Sequence, residues 1–348
     1  MIILCHFRQQ LALLVGCFIA TVVASCNSGS PDPSPENSSS QDSSGQIAST
    51  PPPKPVLDTA DYDKRMLQLA NGDTTGRWPA KAAYPLPGAI LPFNRIVAFY
   101  GNLFSKRMGI LGEIPKEEML AKLETEVDKW RRADSSTPVR PALHYVAVTA
   151  QGQPGKGGKH RLRMPFTEVD KIVSWAREIN GIAFVDVQVG HSTVQEEIPE
   201  FEKYMLMPDV HMGIDPEFSM KGGERPGSVI GTFDAADINW VIGYLSDLVK
   251  KNNLAPKILI VHRFTKGMVT NADKIKPTPE VQVVMDMDGF GAKYLKLSTH
   301  QSYIFREPVQ FTGFKLFYKN DKDKGRSDLF TPEELMQIRP RPIYIQFQ

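Results

Sequence analysis

The chain has 348 residues, 41% of them hydrophobic and 23% charged, with a formal net charge of +2. That composition suits one large globular domain or two small ones, and the balanced charge with no long basic run speaks against a nucleic-acid partner. All three cysteines, Cys5, Cys17 and Cys26, fall at the N-terminus, so no disulfide and no Cys-ligated metal is expected in the rest of the chain.

Arg8 supplies a positive n-region, and Leu11 to Ala24 is apolar but too short and too rich in small residues for a good membrane span. Residues 1–25 therefore read as a signal peptide. It ends in Val23-Ala24-Ser25-Cys26, which resembles a bacterial lipobox. The resemblance implies that Cys26 is lipidated, becomes the first mature residue and ties the protein to a membrane of the cell envelope. Asn27 follows where Asp would favour inner-membrane retention, so the resemblance to Gram-negative lipoproteins implies the outer membrane. Residues 26–56 are mostly Ser, Pro, Asn and Gly, too poor in apolar groups to bury a core, and read as a flexible, disordered tether.

Residues 57–94 read as an N-terminal helix and arm. Asp61 to Ala70 forms the helix, Asn71-Gly72-Asp73 ends it, and Trp78 to Pro92 is punctuated by prolines. From Arg95 onward short apolar runs alternate with amphipathic helices. Strands are predicted at 96–101, 142–150, 182–189, 210–218, 257–262, 281–288, 313–318 and 342–347. Helices are predicted at 115–133, 167–180, 194–205, 234–251 and 293–306, with a short one opening at Thr331; an irregular piece spans 268–276. Strict alternation implies a parallel sheet, and eight such units fit an α/β (β/α)8 TIM barrel over residues 95–348. The eighth helix is missing, and the helix at 61–70 or the arm after it is expected to cover that gap. The alternative is an open doubly wound sheet. No G-x-G-x-x-G follows the first strand, which counts against a dinucleotide-binding version.

In such barrels chemistry sits at the C-terminal strand ends. Residues 210–218 read as a strand ending in two carboxylates: alternation puts His211, Gly213, Asp215 and Glu217 on one face. The other strand ends carry Tyr100 and Asn102; Asp186 and Gln188, then His191; His262 and Arg263; Asp286 and Asp288; Lys315 and Tyr318; and Tyr344 and Gln346. A barrel centre favours branched apolar residues, so this many late polar groups is either a site or a paired structural network. Lys315 and Arg263 are candidates to hold carboxylates ionised or to bind an acidic substrate group. Tyr100, Phe218, Phe290, Tyr318 and Tyr344 are candidate stacking faces for sugars, or packing residues. His191, His211 and His262 fit hydrogen-bonded structural roles as well as ligand roles.

Several carboxylates with few cations suit glycoside hydrolysis, in which one carboxyl protonates the leaving oxygen and another acts as nucleophile, base or stabiliser. Crowding raises the pKa of one of them and keeps it an acid. Glu217 is the expected acid, Asp215 its neighbour some ~6.6 Å away along the strand, and Asp286 or Asp288 the stabiliser or nucleophile. The D-x-E ending of the fourth strand resembles chitinase and muramidase barrels, which implies the same acid and an assisting aspartate from the sixth strand. The runs Phe99-Tyr100-Gly101-Asn102, Val189-Gly190-His191-Ser192, Asp215-Pro216-Glu217-Phe218 and Met287-Asp288-Gly289-Phe290-Gly291 resemble a group of secreted bacterial barrel lipoproteins, which implies the fold. The expected partner is a carbohydrate such as peptidoglycan or another polysaccharide, with no cofactor and no metal. Two alternatives stay open: a metal-dependent hydrolase using His211, Asp215, Glu217, His262 and Asp286, and a glycan-binding lipoprotein without turnover.

Overall fold

A computed structural model describes residues 56–348. The signal segment, Cys26 and all but the last residue of the tether lie outside the described residues.

Eight parallel strands close on themselves: β1 (Arg95–Gly101), β2 (Val139–Ala150), β3 (Ile182–Val187), β4 (Val210–Ile214), β5 (Lys257–Arg263), β6 (Val281–Met287), β7 (Phe311–Leu316) and β8 (Tyr344–Phe347). Each pairs with the next in order, and β8 returns to β1 through Ile96↔Tyr344 to Phe99↔Phe347. The chain is therefore a closed (β/α)8-type barrel, as alternation predicts.

Two apolar layers follow from the two-residue period of the strands. Odd-numbered β1 residues Val97 and Phe99 face outward and meet the helices, with Leu143, Val185, Met212, Leu259 and Val283 on the other strands. Against them pack Met119, Leu123, Val127 and Trp130 of α2 (Lys116–Ala133) and Val169, Ile172 and Val173 of α3 (Phe166–Glu178). Ile238, Leu245 and Val249 of α4 (Ala235–Asn252) complete that shell. Each such side chain, fully removed from water, contributes about 1.5–3 kcal/mol. Glu117 and Glu118 in the first turn of α2, and Arg131 and Arg132 in its last, complement the helix dipole. A capping box of Asp234 and Asp237 starts α4, and Asn253 in the left-handed region (φ 49°) ends it.

The inward residues form the lower core: Ile96, Ala98, Ile182, Phe184, Ile258, Ile260, Val284 and Phe311. Helix α1 (Thr59–Ala70) adds Tyr62 and Met66 to this same inner cluster, with Leu91 of the arm. The helix thus closes the N-terminal end of the barrel instead of lying outside β8 as expected. Its buried stripe fits the apolar opening that Ile96, Ile182 and Ile258 leave. The outer face of β8 is covered otherwise: Phe347 stacks on Tyr318 at 5.3 Å and meets Phe99 edge-on at 6.0 Å.

Three other boundaries move. β4 stops at Ile214, and Pro216–Phe218 is a 3-10 turn. Pro216 has no N–H for the ladder, and Asp215 Oδ1 accepts from Glu217 N at 3.0 Å, which turns the chain. Helix α5 (Lys293–Thr299) runs on into a wider π-helical turn, His300–Phe305. Residues 194–205 break into two four-residue helices around a 3-10 turn, with Pro199 inside it.

Candidate active site at the barrel mouth

Above the apolar layers the inward positions turn polar. Register sets Asp186 beside Gly213, His262 beside Asp286, and Lys315 beside Gln346. Asp186, His262, Asp286, Lys315 and Gln346 are all buried, as are Tyr100, Asn102, Gln188, Asp215 and Asp288. Glu217, on the 3-10 turn after β4, is half-buried.

One chain of contacts runs through the group. His144 and His262 each place Nε2 against Asp186 Oδ2, at 2.9 and 3.0 Å. An ionised carboxylate only accepts, so both Nε2 atoms carry the proton. Burial lowers the His144 pKa to about 4, so its Nδ1 is a bare acceptor and Tyr344 Oη donates to it at 2.7 Å. Gln346 Nε2 then donates to Tyr344 Oη, also at 2.7 Å. Burial works against ionisation of Asp186, but the charge of His262 and the His144 contact outweigh it and hold this carboxyl well below the usual range.

His262 is the opposite case. Burial disfavours its charge, yet Asp186 on one side and Asp286 and Asp288 on the other raise its pKa well above the ordinary value. Its Nδ1 lies 3.1 Å from Asp288 Oδ2 and 3.4 Å from Asp286 Oδ2, close enough for ion pairing but aligned for a hydrogen bond with neither. Lys315 Nζ reaches Asp288 Oδ1 at 3.0 Å and sits 3.8 Å from the centre of the Tyr100 ring, a cation–π contact. Burial raises Asp288, but Lys315 and then His262 overcome it, and the carboxyl is lowered. Asp286 has no such clamp: both its oxygens lack a hydrogen-bond partner and burial raises its pKa.

Asp215 accepts from Gln188 Nε2 at 3.1 Å, and Gln188 Oε1 accepts from Ala150 N at 3.1 Å, so three strands fix its position. Burial, with Asp186 and Asp288 nearby, pushes it up to about 6. Burial followed by the charges of Asp215 and Asp288 pushes Glu217 up to about 8. Among the described residues the Glu217 carboxylate makes no hydrogen bond and no ion pair. Asn102 fixes the β1 loop, donating to Val146 O at 2.8 Å and accepting from Phe104 N at 2.9 Å.

The structure leaves other expected residues outside this group. Arg263 follows the inward His262 and so points outward, to Glu307 at 2.6 Å and the carbonyls of Tyr303 and Val269. It holds no carboxylate of the mouth. Tyr318 also faces outward and donates to Glu126 at 3.0 Å. His191 lies on a loop, bonded to Glu224 O at 2.7 Å and tilted against His160 at 4.3 Å between ring centres. His211 sits low in the barrel, its Nδ1 accepting from Ile258 N at 3.1 Å, apart from the mouth carboxylates. Of the proposed stacking rings, Phe290 is exposed, Phe218 is half-buried and Tyr344 lies deep beside His144.

His144 is the member that a reading of strand ends misses. The signal was present in the period: Ala142, His144 and Val146 alternate on the inward face of an otherwise apolar run. Two inward glycines make room for the group. A Cβ on Gly213 would stand 2.6 Å from His144 Nε2, and one on Gly313 would stand 2.5 Å from Asp286 Oδ1. Among the described residues, metal-ligating geometry exists at one place: donor atoms of His144, Asp186 and His262 lie within 4.8 Å of one another.

No family model and no curated protein matches the chain. Among solved structures, a similar one is the GH36 alpha-galactosidase from Geobacillus stearothermophilus in complex with 1-deoxygalactonojirimycin, at 8% identity and a TM-score of 0.35. The match covers 74% of this chain and 39% of that one, so this chain spans well under half the enzyme's length. A likeness this distant bears on neither the site nor the substrate.

Proposed function

We propose that the protein is a cell-envelope lipoprotein, anchored through Cys26, whose barrel hydrolyses a glycosidic bond in peptidoglycan or another polysaccharide. The observation that carries this reading is the contrast between Glu217 and its neighbours. Asp186, Asp215 and Asp288 are each held by hydrogen bonds or ion pairs, whereas Glu217 stands free at the half-open mouth. A protonated Glu217 donates to the leaving glycosidic oxygen. Asp288, kept ionised by Lys315 and His262, stabilises the positive charge that develops on the sugar, or attacks it. Asp215 keeps Glu217 protonated before the step, and Gln188 and the Glu217 N–H fix Asp215 in place. The Tyr100 ring, held by Lys315, floors the mouth.

The test is release of reducing ends from purified peptidoglycan and from a panel of polysaccharides. Glu217→Gln is expected to lower the rate at least about a hundredfold, the scale of a lost general acid. Full activity in that variant would sink the assignment. Tight binding without product would support the non-catalytic alternative.

A second reading, a metal-dependent hydrolase, is favoured by the His144, Asp186 and His262 set rather than by the five residues named from sequence. A bound divalent metal would supply Lewis-acid activation of water there. Holding a metal there would require both Nε2 atoms to give up the proton they share with Asp186, with Nδ1 of His144 then donating to Tyr344 and Nδ1 of His262 to Asp288. Metal content after purification, and activity before and after chelation, separate the two readings.

A further inference from the structure

We infer that the glycan taken by this mouth is anionic: acidic groups on units flanking the reacting sugar bind a collar of cations around the opening. The inference rests on the glycosidase reading for its site and adds the chemical class of the substrate. The loops that leave the C-terminal ends of β1, β2, β4, β5 and β7 expose Lys106, Arg107, Lys156, Arg225, Lys266 and Arg326. Among the described residues none of these six makes an ion pair. The exposed acids on the same loops are Glu224, Asp273 and Asp323. The whole chain carries only +2, so this excess is local and the rest of the surface offsets it.

Exposed cations on the loops around a cleft raise the local concentration of anionic ligands and steer them toward it. Two further cations of the β4 and β7 loops are paired, Lys221 with Asp237 and Lys319 with Glu113. Arg225 is also positioned: its guanidinium lies over Gly152, where an added Cβ would strike it, so it links the β2 and β4 loops at the edge of the opening.

Two flat apolar faces stand on the same rim. Phe104 is 66% exposed and Phe290 63% exposed. Phe290 meets Phe317 at 5.9 Å, and Phe317 lies 5.3 Å from Lys315 Nζ, so an aromatic path leads from the collar to the floor of the site. Alternating cations and aromatic faces match a polymer with an apolar ring face and acidic substituents. The negative centre fits an occupant whose reacting unit is neutral and whose charges lie to either side. A flat anionic bilayer would place headgroups on the collar but nothing in the recess.

The experiment uses the full chain carrying Glu217→Gln, so that binding is read without turnover. Probes are polygalacturonate, neutral dextran of matched length, and vesicles of phosphatidylglycerol or phosphatidylcholine. Polygalacturonate is expected to bind, dextran not, and the affinity to fall as salt rises from 50 to 300 mM, on the order of tenfold. K106E/R107E/R326E should weaken binding about tenfold or more. The control K64E/K251E, at the other end of the barrel, should not. Equal binding of dextran and polygalacturonate, equal loss in both variants, or capture by phosphatidylglycerol vesicles alone would overturn the inference. Hydrolysis of neutral glycans only, in the unmodified chain, would overturn it while leaving the glycosidase reading intact. Salt-dependent polygalacturonate binding in a chain that cleaves nothing would sustain it while removing the enzyme.

Discussion

His144 and His262 converge on the same oxygen of Asp186, at 2.9 and 3.0 Å, in a part of the barrel with no access to water. That carboxylate therefore ties two strands of the mouth together, whereas Asp286, equally buried, has the looser 3.4 Å approach of His262 Nδ1 and no hydrogen bond among the described residues. The two aspartates should respond unequally to the same change. Asp186→Asn removes the carboxylate between two buried imidazoles, leaving His262 with Asp288 and Asp286 on its Nδ1 side alone, and should cost about 3 kcal/mol. Asp286→Asn keeps the shape of the side chain and loses only the looser 3.4 Å approach to His262 Nδ1, so it should cost less, about 1 kcal/mol. Urea unfolding of both variants checks the contrast; equal losses would mean that Asp286 carries a partner in solution.

Gly213 gives a second test of the same group. Its missing Cβ leaves the space that His144 Nε2 and Asp186 occupy, so Gly213→Ala must push one of them aside. The expected loss is about 1–3 kcal/mol, the usual cost of overpacking a filled core. Activity should fall with it, since His262 shares the displaced carboxylate. Thermal unfolding and rate together check this.

The acid assignment fixes a pH profile. With Glu217 raised from 4.5 to about 8, activity should decline on an alkaline limb centred near 8. The sign for stability is set by the same shift. A carboxyl that titrates higher when folded favours the fold below its ordinary value of 4.5, and that contribution is lost as pH climbs to about 8. Glu217→Gln should remove both the limb and this slope, which stability curves at pH 5, 7 and 9 would show.

Lys315 is expected to matter through Asp288. Lys315→Met leaves that carboxyl with His262 as its remaining cation and raises its pKa. The rate should drop on the order of tenfold to a hundredfold, and the acidic limb of the profile should move to higher pH. An unmoved acidic limb would show that Asp288 is not the ionised partner.

Much of this was legible from the sequence because strand period and strand length are local properties. The eight strands, Asp215 just past the end of β4, Asp286, Asp186, His262 and Lys315 all follow from alternation. What failed was long-range or sub-residue in scale. Position near a strand end groups Arg263 and Tyr318 with the site, but one step along a strand reverses the face. Glu217 was placed on the strand face, but Pro216 withdraws an N–H and turns the chain. His144 lies mid-strand, where attention to strand ends does not reach. The stripe on α1 announces a buried face without saying which opening of the barrel it fills.

The pairing of β8 with β1 has a consequence in time. Residues more than two hundred positions apart must meet before the cylinder exists, and such distant pairings make for slow folding. The strand that completes it also brings Tyr344 and Gln346 to His144. Until those last residues are made, the growing chain holds its acids and histidines on an open, unsatisfied sheet. A nick that removed Tyr344 to Gln348 would open the cylinder between β7 and β1 and strip His144 Nδ1 of its donor.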